Sequence, residues 1–232
     1  MTKKIEKVAA LLTLVTGILF FVLYGTQNAY SGTIDEKTAA ALEHISGGAV
    51  RVITAVPGAT KDRAIVRAYQ KMENVWTLRL ETSGFFGKNG VMEDRLEGSN
   101  ATPSGSYTFG RAFGVADSPG STLPYTKVTE NDVWVDDPNS KYYNKWASKT
   151  ALDADWNSAE HLIQHPEEYK YVLTINYNTD PVIPGKGSAI FLHSSIGSPT
   201  AGCISVPDEA MVFFLAFVDE NTLIVISDSP LY

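Results

Sequence analysis

The spacing of apolar and polar positions changes several times along this chain, and each change predicts a different element. Residues 8–24 are apolar with scarcely a break, inside an uncharged run that extends to residue 34 and follows Lys3, Lys4 and Lys7. Cations ahead of an apolar stretch are the layout of a secretory signal or an N-terminal anchor. The segment has no polar face, so it does not read as a core helix of a soluble domain. As a helix it would cover about 25 Å at roughly 1.5 Å per residue, slightly less than a ~30 Å hydrocarbon core. Thr33-Ile34-Asp35-Glu36 then reads as a capping box with Thr33 as N-cap. Ala39, Ala40, Ala41 and Leu42 continue that helix, and Gly47-Gly48 ends it.

From there the period shortens. Residues 50–56 are rich in β-branched side chains and stop at Pro57-Gly58, predicting a strand and a turn. Residues 75–81 alternate, with Trp76, Leu78 and Leu80 on one face, and residues 64–71 read as the preceding strand of a hairpin linked through Met72-Glu73-Asn74. Residues 83–120 are Gly-rich and read as turns between short strands. Ser158 opens a helical stretch containing His161 and His165, and Pro166 closes it. Residues 171–176, 188–192 and 222–226 are strands, and residues 211–217 a short helix, with Pro207, Ser205 and Asp208 at its start. The expectation is a mainly β chain, a β-sandwich or barrel-like single domain with a few short helices. Residues 1–31 are its signal or anchor helix, 32–48 a helical lead-in and 49–232 the domain proper.

Composition narrows the function. The 232 residues carry 19 basic and 26 acidic side chains, a net charge of −7, with 44% hydrophobic and 19% charged, which is an ordinary folded protein. Without residues 1–31 the net charge is near −9, since three lysines and Glu6 leave with them. Such a surface does not suit nucleic acid, which needs cations to displace counterions. A single cysteine allows no intrachain disulfide. Ala29-Tyr30-Ser31 places small residues where a signal peptidase reads, so cleavage after Ser31 and retention as an anchor are both open. In either case the lysines stay inside and the remainder is exported, with the membrane touched only through the N-terminal segment.

Three patterns lead nowhere. Gly87-Lys88 is followed by Asn89-Gly90 and no helix, unlike a phosphate-cradling loop. Glu130, Asp132, Asp136 and Asp137 lack calcium-loop spacing and are interrupted by Trp134. His161 and His165 share a helix face by spacing, but no Glu sits beside His161 as in zinc proteases. No metal or organic cofactor is expected.

The informative stretch runs from a strand ending at His193, through a turn-rich loop, to Gly202-Cys203. Cys203 is expected just ahead of a helix N-terminus, where the macrodipole favours thiolate. An imidazole within reach would serve as base. Amides around Gly202 and Cys203 could hold an oxyanion. The competing reading is a small buried cysteine and a hydrogen-bonded core histidine.

Phe191-Leu192-His193 followed by Pro199-Thr200-Ala201-Gly202-Cys203-Ile204-Ser205 resembles the signature of the L,D-transpeptidase catalytic domain, a family of bacterial cell-wall enzymes. Arg95-Leu96-Glu97-Gly98, Thr102-Pro103-Ser104-Gly105 and Phe113-Gly114 resemble its segment ahead of the active site. Trp134, Asp137-Pro138, Tyr143-Asn144 and the lead-in from Gly187 to Phe191 resemble one of its secreted branches. The resemblance implies a mostly β catalytic domain in which Cys203 attacks the third-residue carbonyl of a peptidoglycan stem tetrapeptide. D-Ala leaves, and an amine of a neighbouring stem resolves the thioester to give a 3→3 cross-link. It further implies His193 as base and Gly202 as part of the oxyanion hole. Substrate contacts are expected at Thr200, Ser205, Ser194, Tyr143, Asn144 and Trp134. The chain departs from the family pattern in having Ala201 where a second His is frequent, Ser205 where Arg or Asn is common, and only ten positions from His193 to Cys203.

Two alternatives share the surface or the site: an L,D-carboxypeptidase that passes the acyl group to water, and a non-catalytic wall-binding module with an idle thiol. An activated thiolate would react with alkylating agents faster than free cysteine, and an idle one would not. Sortases use an Arg downstream of Cys, and no Arg follows Arg111 here. Papain-like endopeptidases place Cys before His, the reverse of this order.

Overall fold

The structure, a computed structural model, describes residues 32–231; the expected signal or anchor and its cut after Ser31 lie outside them. Among the described residues no helix is long and apolar enough to cross a membrane. The strands are β1 (Gly32–Thr33), β2 (Arg51–Pro57), β3 (Arg63–Met72), β4 (Val75–Phe85), β5 (Val91–Met92), β6 (Thr102–Pro103), β7 (Gly105–Gly114), β8 (Tyr125–Lys127), β9 (Asp132–Val135), β10 (Lys145–Ser148), β11 (Ala159–His161), β12 (Val172–Ile175), β13 (Phe191–Ser194), β14 (Ile204–Val206) and β15 (Leu223–Ile226). Two α-helices accompany them, α1 (Glu36–Ile45) and α2 (Asp208–Phe217).

The main sheet runs β4-β14-β13-β12-β7-β15-β2-β3, and β3 pairs with β4 again, so the sheet closes on itself as a barrel. Closure removes the free edges that an open sheet of this size would expose. β1 extends the far end of β4, β8 lies against β7, and β9, β10 and β11 form a separate three-stranded sheet.

Alternation along each strand sorts side chains between two layers. On β2, Ile53 and Ala55 face the barrel core, while Val52 faces a cluster with Leu42 of α1, Tyr69, Trp76 and Val225. The lead-in helix is therefore packed onto the barrel wall. On β13 and β14, Leu192, Ile204 and Val206 point into the core, which α2 caps with Ala210, Met211, Phe214 and Leu215. Phe191 points the other way, into a layer formed with Phe113, Trp134 and Tyr169 between the barrel and the small sheet. It meets Trp134 at 5.0 Å, Phe113 at 5.6 Å and Tyr169 at 5.8 Å, each edge to face. Such pairs contribute about 0.5–1.5 kcal/mol each beyond burial.

Several local expectations change. The N-cap of α1 is Asp35, whose carboxylate accepts from the Thr38 amide at 2.7 Å, and Thr33 instead pairs in β1. The hairpin of β3 and β4 forms, with Glu73 and Asn74 both at positive φ, but a register shift at Ala68/Tyr69 separates the expected face. Trp76 and Leu78 join the α1 cluster, whereas Leu80 reaches the core. The Gly-rich stretch contains β7, a ten-residue strand in the middle of the barrel wall. Its glycines hid it: a Cβ on Gly110 would lie 2.6 Å from Asn176 Oδ1 and 2.8 Å from Thr174 Oγ1. The helix expected from Ser158 is a short strand, β11, and one 3₁₀ turn at Leu162–Gln164, so His161 and His165 do not share a helix face. Ser205 does not cap α2; it lies within β14, and Pro207 occupies the N-cap position without a side-chain bond.

Candidate active site

β13 and β14 run parallel, with Leu192 opposite Ile204 and His193 opposite Ser205. Parallel partners point the same way, so the residues flanking this inward pair face outward together. Phe191, His193, Cys203 and Ser205 thereby converge on one side of the barrel. His193, Gly202, Cys203, Ser205 and Thr200 all line one cavity of ≈ 480 Å³.

Cys203 is 9% exposed and is held as a thiol. Its S–H donates to the carbonyl of Ala189 at 3.1 Å, and Sγ accepts from the Phe191 amide at 3.4 Å. Burial pushes the thiol up to about 12. The expectation of a helix-lowered thiolate is thus corrected, because β14 stands between Cys203 and α2. Ala189 presents its carbonyl from a left-handed conformation, φ 51°, unusual for a residue with a Cβ. Its amide is pinned at 3.1 Å by Asn144 Oδ1.

His193 is 5% exposed, and burial lowers its pKa, which keeps the imidazole neutral. Its Nδ1 donates to the Ser194 carbonyl at 2.7 Å. That bond assigns the proton to Nδ1 and leaves Nε2 with a lone pair. The group that orients the imidazole is this backbone carbonyl; Ser194 Oγ, expected to touch substrate, is buried without a partner and outside the cavity lining. Tyr169 meets the imidazole edge to face at 5.7 Å.

The loop ahead of Cys203 is tied to the β4–β6 connection. Thr200 exchanges backbone bonds with Phe86 and Lys88, each 3.0 Å. Thr200 Oγ1 donates to the Cys203 carbonyl at 2.7 Å and accepts from the Gly202 amide at 3.1 Å. The Gly202 N–H expected to face an oxyanion is therefore engaged within the loop. Thr102 Oγ1 adds a second contact to the Cys203 carbonyl at 3.3 Å.

Trp134, Tyr143 and Asn144, expected to touch substrate, do not line the cavity. All three are buried. Trp134 Nε1 donates to Asn144 Oδ1 at 3.0 Å, Asn144 Nδ2 donates to the carbonyls of Tyr177 and Asn178, and the Tyr143 hydroxyl donates to Glu97. They hold the wall from behind. Three further residues line the cavity, of which only Arg95 lies in a segment the sequence singled out, Arg95-Leu96-Glu97-Gly98. Glu160, on β11, accepts from the Tyr169 hydroxyl, and burial raises its carboxyl to about 7. Arg95 is 2% exposed. Tyr169 is buried, and burial raises its hydroxyl well above the usual range. Among the described residues no group of three or more His, Cys, Asp or Glu side chains is placed to hold a metal.

The cavity thus holds a buried thiol and a neutral, oriented imidazole on a closed β wall. Residues 53–226 match the profile of the L,D-transpeptidase catalytic domain, YkuD, and the chain belongs to that family. No curated protein sequence matches it. Among solved structures it is similar to an L,D-transpeptidase from Mycobacterium smegmatis at 12% identity, covering 78% of this chain and 59% of that one, with a TM-score of 0.35. An L,D-transpeptidase (Yku) from Stackebrandtia nassauensis is also 12% identical, over 85% and 70% of the two chains, with a TM-score of 0.36. L,D-transpeptidase 1 of Mycobacterium tuberculosis is 11% identical over 76% and 62%, with a TM-score of 0.33. The match spans less than two thirds of the first of these structures.

Proposed function

We propose that this chain is an exported transpeptidase that forms 3→3 cross-links between peptidoglycan stem peptides, with Cys203 as nucleophile and His193 as base. The observation that carries this reading is the single cavity lined by both side chains, in a chain of the L,D-transpeptidase family. His193 Nε2 takes the Cys203 proton as Sγ turns from the Ala189 carbonyl to the third-residue carbonyl of the donor stem. The C–N bond to D-Ala breaks, the proton passes to the departing amine, and a thioester remains. An acceptor amine attacks that thioester, gives its proton to His193, and releases Cys203 as a thiol. Export follows from the N-terminal cations and apolar run.

The test is mass spectrometry of the full chain mixed with disaccharide-tetrapeptide muropeptides, with Cys203→Ala in parallel. Dimers together with loss of D-Ala, both absent from Cys203→Ala, are expected. Loss of D-Ala without dimers would make water the acceptor and the chain a carboxypeptidase. No product in either sample would overturn the enzymatic reading.

A further inference from the structure

Arg95 is the most buried charge at the cavity, 2% exposed, and its Nε and Nη1 have no hydrogen-bond partner among the described residues. It takes part in none of the ion pairs described. Its company is the Tyr177 side chain, whose ring centroid lies 5.7 Å from the guanidinium carbon and whose hydroxyl shares a hydrogen bond with it. Glu97, two positions on, has its Oε2 engaged by the hydroxyls of Tyr143 and Ser188. A guanidinium withdrawn from water with donors unmet is costly unless an anion completes it.

The fold makes room for this group beside the nucleophile. A Cβ on Gly187 would lie 2.0 Å from Nη1, and one on Gly202 would lie 3.5 Å from Nη2. Both glycines have positive φ, +118° and +154°. Gly202 immediately precedes Cys203, so the guanidinium borders the residue next to the thiol, and both Arg95 and Cys203 line the cavity. Its charge also acts on Cys203, favouring the thiolate. Glu97, Asp136, Glu160 and Glu168 line the same cavity, and Arg95 and Lys88 are the lysine or arginine side chains of its lining that an anionic peptide would meet.

We propose that Arg95 anchors the free α-carboxylate at the C-terminus of the donor peptide, so that the cavity selects chains ending one residue beyond the attacked carbonyl. This rests on the reading of the cavity as a stem-peptide site. Arg keeps its charge and its planar donors when withdrawn from water, and Lys at the same place would keep a charge but lose that geometry.

The experiment is calorimetric binding of two probes to the full chain carrying Cys203→Ala: an N-acetylated stem tetrapeptide ending in D-Ala acid, and the same peptide ending in D-Ala carboxamide. The acid is expected to bind about tenfold or more tightly than the amide. Arg95→Met in that background should bring the two within about twofold, and Arg95→Lys should fall between. Equal binding of acid and amide before any change at Arg95, binding of neither, or an unchanged preference in Arg95→Met overturns the proposal. The first result needs no folded Arg95 variant. Cysteine-dependent dimers from muropeptides alongside equal acid and amide binding would remove the anchor alone. An acid preference without any product would remove the transpeptidase reading and keep the anchor.

Discussion

The Cys203 thiol donates its hydrogen to the carbonyl of Ala189, 3.1 Å away, while His193 is turned by its own bond to the Ser194 carbonyl. The thiol is held protonated, and the imidazole is held neutral. Reactivity of the resting thiol is consequently no measure of catalytic competence here; both an idle and a catalytic Cys203 would be slow without substrate.

With the thiol raised to about 12 against a free cysteine near 8.5, alkylation of Cys203 by iodoacetamide at pH 7.5 should be on the order of a thousandfold slower than that of free cysteine. The rate should keep rising about tenfold per pH unit beyond pH 9, where free cysteine levels off. A rate at pH 7.5 equal to that of free cysteine would contradict the buried, hydrogen-bonded thiol.

Glu160 gives stability an opposite pH slope to that of an ordinary paired carboxylate. Its folded pKa is raised from 4.5 to about 7, so the folded state holds this proton after the unfolded chain has lost it. The stability it contributes is full below pH 4.5 and is lost as pH rises through 7. Wild type should lose up to about 3 kcal/mol relative to Glu160→Gln between pH 4.5 and 7.5, read from urea midpoints at each pH. Parallel curves for the two proteins would refute this.

Asn144 uses all of its side-chain amide to hold the wall behind Cys203. Asn144→Ala strands Trp134 Nε1, the Ala189 amide and the carbonyls of Tyr177 and Asn178, and leaves alanine at φ 58°. At about 1–3 kcal/mol for each buried orphan, a loss of at least about 3 kcal/mol is expected in chemical denaturation. Turnover should fall with it, because the Ala189 carbonyl loses its support. A variant within 1 kcal/mol of wild type would show that this network is dispensable.

Barrel closure depends on an approach that only glycine permits. Gly84 on β4 faces β14 so closely that a Cβ would lie 2.1 Å from the Ser205 carbonyl oxygen. Ser205 opposite Phe85 is also the only pairing recorded between these strands among the described residues. Gly84→Ala should cost about 1–3 kcal/mol or more, measured by thermal unfolding, and should disturb Ser205 at the cavity wall. An unshifted unfolding midpoint would argue against tight closure at this seam.

The strands with plain alternation or β-branched runs were legible: β2, the β3–β4 hairpin, β12 and β15 fall within a residue or a few of expectation. β7 was not, since Gly105, Gly110 and Gly114 read as turns, although in the barrel they make way for Tyr107, Asn176 and Tyr125. The helix expected from Ser158 failed because β11 pairs with β9, and that pairing overrode local propensity.

Local order along the chain marked out the candidate pair: a strand ending at His193, a turn-rich return, and Gly202-Cys203. It also carried the family's signature and a cationic, apolar start. Tertiary structure alone decided the chemistry of the site. The thiol's protonation depends on desolvation and on a carbonyl fourteen residues away, and its third partner is a backbone atom that every sequence possesses. Trp134, Tyr143 and Asn144 were assigned to the wall's interior by packing. Arg95 and Glu160 were brought to the cavity from the β5–β6 and β11 segments by barrel closure and by the small sheet. Which charges meet is a property of non-local strand pairing, and no spacing along the chain encodes it.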